Sequence, residues 1–160
     1  MIEGLTIRPA VDADAQGISA LIYSQLHHRS PTPIGPAPPE FLAGFAPETI
    51  RGYIGSSRYR YWVALIEGQL VGVLGIRDGQ SILHLFVADS CQRRGIASAL
   101  WGCAKSDLLA AADEINLVVN SSIYAIPVYE RFGFKMIGPR VEDAGVTYVP
   151  MHLIISHGHC

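Results

Sequence analysis

Leu83-His84-Leu85-Phe86-Val87-Ala88-Asp89-Ser90-Cys91-Gln92-Arg93-Arg94-Gly95-Ile96-Ala97 passes from an apolar, strand-like run through a short polar turn into the start of a helix. The first backbone N–H groups of a helix have no acceptor inside it, and the aligned peptide dipoles add partial positive charge there. Such a turn is an anion site suited to a pyrophosphate. Gly95 and Ala97 leave no bulk between backbone and ligand, and Arg93 and Arg94 add positive charge beside it. The stretch lacks the Gly-Lys-Ser/Thr of a Walker loop and the three glycines of a dinucleotide fingerprint. Taken alone, it also fits an ordinary loop with two solvated arginines.

Upstream, residues 59–67, 70–77 and 81–88 are apolar runs joined by Glu67-Gly68-Gln69 and Asp78-Gly79-Gln80. Glycine adopts positive φ at little cost, so these read as three antiparallel strands linked by tight hairpins. Leu5-Thr6-Ile7-Arg8 alternates as an opening strand, and Asp12 or Asp14 can cap the helix that follows. Ile18, Leu21, Ile22 and Leu26 place that helix over 15–26, ended by His27-His28-Arg29. Residues 30–47 carry six prolines and predict a stiff loop with at most a helical turn near Phe41. That loop is either a wall of a substrate pocket or a plain connection. A short helix is expected over 48–55.

Downstream, Ile96, Leu100, Cys103, Ala104 and Leu108 share one side of a helix over 94–112. A β-branched strand over 115–119 follows. Ser121 or Ser122 then caps a helix that runs to Phe132, stopped by Gly133, with Pro127 expected to kink or delay it. Residues 134–137 and 146–155 close the pattern as strands. The order β-α-α-β-β-β-α-β-α-β-β describes one α/β domain over 1–160, built on a single mixed sheet.

Twelve Lys and Arg against 14 Asp and Glu leave a net charge of −2, with no basic surplus for nucleic acid. Hydrophobic residues at 49% describe an ordered globular chain. Cys91, Cys103 and Cys160 match no zinc or redox spacing and read as free thiols. His152, His157, His159 and Cys160 form a chance cluster at the terminus, so no metal is expected. The start lacks the basic and apolar regions of a signal peptide, and no apolar stretch is long enough for a bilayer. A cytoplasmic protein without a membrane partner is the expectation.

Gln92-Arg93-Arg94-Gly95-Ile96-Ala97 resembles the Gln/Arg-x-x-Gly-x-Gly/Ala signature of the GNAT superfamily, and Leu85-Phe86-Val87 resembles the strand leading into it. Val118-Val119-Asn120-Ser121-Ser122, Ala125 and Tyr129-Glu130-Arg131-Phe132-Gly133-Phe134 resemble the family's following strand, helix and closing element. The resemblance implies a mixed, mostly antiparallel central sheet of six to seven strands flanked by about four helices. It implies acetyl-CoA as acyl donor. Phe86 and Val87 would border the pantetheine arm, with the Val87 backbone offered to it as if to an extra strand. The backbone of Gln92, Arg93, Arg94, Gly95, Ile96, Ala97 and Ser98 would hold the pyrophosphate. Asn120 would face the arm, Arg131 the nucleotide end, and Tyr129 the thioester sulfur as general acid. Ala97 stands where a second glycine is commoner, and Cys91 where an aromatic is common.

Direct transfer requires the acceptor ammonium to lose a proton. His84 is the candidate base, since its free pKa near 6.5 suits the role. Alternation puts His84 and Phe86 on one strand face, with Leu83, Leu85 and Val87 on the other. His84 also reads as a satisfied core residue, Tyr129 as a core aromatic, and Glu67 is a second candidate base. The substrate side would draw on residues 30–47, Tyr53, Tyr59, Tyr61 and Trp62. The expected activity is N-acetylation of a primary amine, with a small molecule favoured over a peptide. A non-catalytic acyl-CoA sensor and a peptide or protein acetyltransferase are the alternatives. The resemblance allows a homodimer, which no sequence feature shows.

Overall fold

A computed structural model describes residues 4–25, 44–143 and 146–156. The expected helix end at His27-His28-Arg29, most of the proline-rich loop, and His157, His159 and Cys160 lie outside the described residues. Among the described residues the chain forms β1 (Leu5–Pro9), α1 (Ala15–Gln25), α2 (Pro47–Ile54), β2 (Tyr59–Ile66), β3 (Gln69–Arg77) and β4 (Ser81–Val87). It continues through α3 (Ile96–Ala111), β5 (Glu114–Ser121), α4 (Ile126–Phe132), β6 (Lys135–Met136), β7 (Val141–Asp143) and β8 (Val146–Ser156). The sheet order is β1-β2-β3-β4-β5-β8-β6, with β7 paired to β8. Among the described strands only β4 and β5 run parallel, because the α3 crossover lies between them.

The hairpins form as the glycines imply. Glu67 and Gly68 take φ of 50° and 83°, closing a two-residue turn between Ile66 and Gln69. Asp78 and Gly79, at φ 55° and 66°, turn the chain between β3 and β4. Alternation along the strands then feeds two cores. Tyr61, Val63, Val73 and Phe86 pack under α1 and α2 with Ile18, Ile22 and Ile50. Trp62, Leu74, Leu117 and Met151 pack with Ile96 and Leu100 of α3 and Tyr129 of α4.

Four elements differ from expectation. The helix expected from 94 begins at Ile96, because Arg93 and Gly95 are left-handed at φ 63° and 85°. The helix expected from 121 begins at Ile126, which places Pro127 in its first turn, where a missing N–H removes no bond. The strand expected over 134–137 shrinks to two residues, and β7 is too short to have shown a period of two. Pro150 sits inside β8, yet its carbonyl accepts from Ile137 N–H at 3.0 Å. Its ring nitrogen faces that same side, so no bond to β5 is lost.

Asp14 ties β1 to the start of α1. Its carboxylate accepts from Arg8 Nη1 and Nη2 at 2.8 and 3.1 Å and from Val11 N–H at 2.8 Å. The Arg8 bonds hold the Asp14 carboxyl below the usual carboxylate range. Asp14→Asn is expected to lower stability by about 1 kcal/mol at pH 7. A depressed folded pKa gives stability that is present above the unfolded value near 3.9 and lost as pH falls through the folded one. Urea denaturation of both proteins across that window should therefore show the difference shrink in acid.

Candidate active site

Pairing of β4 with β5 is confined to Ser81↔Val118 and Ile82↔Val119. Immediately beyond, β3 places Gly75 opposite His84 and Ile76 opposite Ile82, so Leu83 is an extra residue that bends β4. From there β4 stays with β3 while β5 follows β8 to Ser121, and the sheet opens. Ala88 N–H donates to Val71 at 2.8 Å, so alternation turns the backbone groups of Leu85 and Val87 away from β3, toward the gap. A cleft of about 890 Å³ occupies the opening.

The turn before α3 forms its mouth. After a single helical turn at Asp89–Cys91, the left-handed residues Arg93 and Gly95 curl the backbone into a concavity of N–H groups. The first amide to find a helical acceptor is that of Ala99, on Gly95 at 3.0 Å. The amides of Ile96, Ala97 and Ser98 precede it, and all three residues line the cleft with Arg93 and Gly95. Arg94 lies outside the lining. The Gln92 side chain is a strut. Its Nε2 donates to Val87 O at 2.9 Å and to Gln25 Oε1 at 2.9 Å, while Gln25 Nε2 donates to Asp89 at 3.2 Å. Gln92 N–H turns back to Asp89 O at 3.4 Å.

On the far wall stand Asn120, Tyr129 and Arg131. Tyr129 is placed by the ending of α4. Gly133, at φ 104°, donates to Glu130 at 3.0 Å, and Phe134 N–H donates to Tyr129 O at 3.0 Å. This is a Schellman ending, whose usual apolar contact is the Tyr129–Phe134 ring pair at 5.5 Å. The Tyr-x-x-x-Gly-Phe spacing thus has a local cause, and it buries the Tyr129 ring at 4% exposure against the cleft.

His84 lies on the other face. Phe86, which lines the cleft, packs on it at 6.2 Å, and Phe45 and Tyr53 surround it at 5.2 and 6.4 Å. Its Nδ1 meets Tyr61 Oη at 2.8 Å. Tyr61, Gly75 and His84 are in register across three strands, and a Cβ at Gly75 would fall 2.3 Å from the Tyr61 ring. Only glycine lets Tyr61 lie across β3 to reach His84. Burial raises the Tyr61 phenol well above its ordinary value, so it stays protonated. Trp62 belongs to the opposite core, where Nε1 donates to Asp107 at 3.0 Å, so the structure separates it from Tyr61. Glu67 is exposed in its hairpin.

Among the cleft residues the sequence reading passed over, Gln25 had a signal. It occupies the apolar stripe of α1, seven residues after Ile18, and is only 4% exposed. Leu83, Leu85, Ser122 and Tyr124 also line the cleft; Leu85 and Ser122 stood in the quoted motifs without being assigned to the site, and Leu83 and Tyr124 carried no signal for it. Among the described residues no group of three or more His, Cys, Asp or Glu side chains is placed to hold a metal ion. No helix among them is long and apolar enough to cross a membrane.

The described residues thus form a splayed α/β sheet with a cleft in the splay and a turn of backbone amides at its mouth. Residues 12–155 match the acetyltransferase (GNAT) domain family, and the chain belongs to that family. An uncharacterized N-acetyltransferase, YafP, of Escherichia coli K12 is 35% identical over 104 residues, which are 64% of this chain. The match spans 65% of that relative, just under two thirds of its length. The fold is shared with PaiA N-acetyltransferase of Thermoplasma acidophilum, solved with coenzyme A (TM-score 0.74, 14% identity, 92% of this chain and 97% of that one). It is shared too with the spermidine N-acetyltransferase SpeG of Vibrio cholerae (TM-score 0.65, 20% identity, 96% of this chain and 95% of that one).

Proposed function

We propose that the chain transfers the acetyl group of acetyl-CoA directly to the primary amine of a small molecule. The observation that carries this is the concavity of amides at Arg93–Ser98, set at the mouth of the cleft between β4 and β5. A pyrophosphate fits it by charge and by hydrogen-bond direction. Because the Gln92 amide and side chain are both engaged, the donors are the amides that follow it, while Gln92 braces the turn. Arg93 adds charge at the pyrophosphate and Arg131 at the nucleotide end. The Val87 carbonyl is taken by Gln92, so Val87 N–H is the group left for the pantetheine arm, with Phe86 and Asn120 beside it. Coenzyme A in the PaiA structure and spermidine as the substrate named for SpeG support a CoA donor and a small amine acceptor.

When bound, acetyl-CoA supplies an activated thioester carbonyl. The work of the chain is proton handling. His84 takes the ammonium proton through a water relay past Phe86, with its ring held at Nδ1 by Tyr61. Tyr129 gives a proton to the departing sulfur. Calorimetric titration of acetyl-CoA followed by thiol-release assays with amines tests the reading. Micromolar binding with amine-dependent thiol release is expected, and His84→Gln should lower kcat/KM about tenfold or more and flatten its acid limb. Binding without release for any amine would turn the protein into an acyl-CoA sensor. An unchanged pH profile in His84→Gln would remove the base.

A further inference from the structure

We infer that Gln25, on α1, is a positioning residue for the pyrophosphate turn, an inference that rests on the cofactor reading above. It acts through Gln92. The carboxylate of Asp89 and the carbonyl of Val87 accept hydrogen bonds and donate none, and they stand at the two ends of a chain of two side-chain amides. Asp89 takes Gln25 Nε2 at 3.2 Å, which turns Gln25 Oε1 toward Gln92. Gln92 Nε2 then directs its two hydrogens at that oxygen and at Val87 O, both at 2.9 Å, with Asp89 Oδ1 farther off at 3.5 Å.

The consequence falls on the next residue. Arg93 has φ 63°, a left-handed backbone that a side chain with a Cβ adopts only at a cost, and Gly95 follows at φ 85°. Gln92 itself is extended, at φ −71° and ψ 157°. Its side chain fixes it from two sides, so the chain enters Arg93 in one direction and the amides of Ile96, Ala97 and Ser98 are aimed together. Without the Gln25 oxygen, Gln92 keeps one anchor, and Arg93 relaxes out of the left-handed region and turns those amides apart. Gln25 follows Ile18 and Ile22 on the buried stripe of α1, where an apolar side chain would pack without the cost of burying an amide. The arm side of the cleft is held separately. Val87 pairs with Gly72, and Ala88 N–H donates to Val71 O at 2.8 Å, both on β3.

The test uses Gln25→Met, Gln92→Met and the double variant, since methionine keeps the length and apolar packing of the glutamine stem. Acetyl-CoA is titrated by calorimetry, and S-acetylpantetheine, which has no pyrophosphate, by NMR. Gln25→Met is expected to weaken acetyl-CoA about tenfold and to leave the Kd of S-acetylpantetheine within about twofold, which also reports that the variant is folded. Gln92→Met should lose at least about tenfold, and the double variant no more than about twofold beyond it, because the two residues act as one unit. A double variant in which the two losses multiply puts Gln25 in direct contact with the ligand and overturns the inference. Equal loss of both ligands in Gln25→Met makes Gln25 a packing residue of the whole cleft and overturns it as well. Unchanged acetyl-CoA affinity in that variant does the same. Each of these results leaves the transferase reading intact, whereas a parent chain that binds no acetyl-CoA removes that reading and the inference with it.

Discussion

Gly95→Val is expected to weaken acetyl-CoA binding about a hundredfold while the chain remains folded. Gly95 has φ 85° and ψ 9°, a left-handed conformation in which other residues lose roughly 1–2 kcal/mol. An added Cβ there meets no atom within 4 Å, so the protein itself has room for it. Gly95 lines the cleft, and that free space is where the ligand would lie. Valine takes up this space and also favours leaving the left-handed region, which re-aims the amides of Ile96, Ala97 and Ser98. Loss of one or two charge-assisted hydrogen bonds, at about 1.5–3 kcal/mol each, accounts for a hundredfold change. Gly95→Ala separates the two causes, since it carries the backbone strain with little bulk and should lose only about tenfold. Calorimetry reads the affinities and thermal melting reads the strain. Parent-like affinity in the valine variant would move the pyrophosphate away from this turn.

Features carried by a few neighbouring residues were legible in the sequence. The anion turn lies within Gln92–Ala97, each β2–β3–β4 hairpin within two or three residues, and the Schellman ending within Tyr129–Phe134. Each is a local backbone rule with glycine at the position needing left-handed φ. Features set by register were not legible. The splay begins where Leu83 is left over between Gly75↔His84 and Ile76↔Ile82, and no local signal marks that bulge. The strut from Gln92 to Gln25 spans 67 positions, and the Tyr61–His84 bond requires a bare Gly75 between two other strands. The separation of Tyr61 from Trp62 was available from alternation alone, since adjacent strand residues face opposite sides. Placing both on the substrate side overlooked it.

The second large effect is expected in turnover and not in affinity. Tyr129→Phe should lower kcat about a hundredfold and leave the Kd for acetyl-CoA within about twofold. Phenylalanine keeps the ring packing and the main-chain bonds around the residue. The ring contacts with Phe132 at 6.1 Å and Phe134 at 5.5 Å persist, and the bonds that end α4 are main-chain bonds. Only the hydroxyl is removed from the cleft wall. The size of the effect follows from the leaving group. A thiol with a pKa near 8.5 departs as thiolate far more readily than an alkoxide would, so an acid donor belongs at the low end of its usual hundred- to ten-thousandfold range. Single-turnover rates separate this from product release, because a slower chemical step lowers the first turnover as much as the steady state. If Tyr129→Phe matches the parent in single turnover, the phenol is a core aromatic that closes α4 over the sheet, and the sulfur must leave without it. If instead acetyl-CoA affinity falls together with turnover, the hydroxyl helps to hold the arm and the acid role is not isolated. A loss confined to the chemical step is the outcome the buried, cleft-facing ring supports.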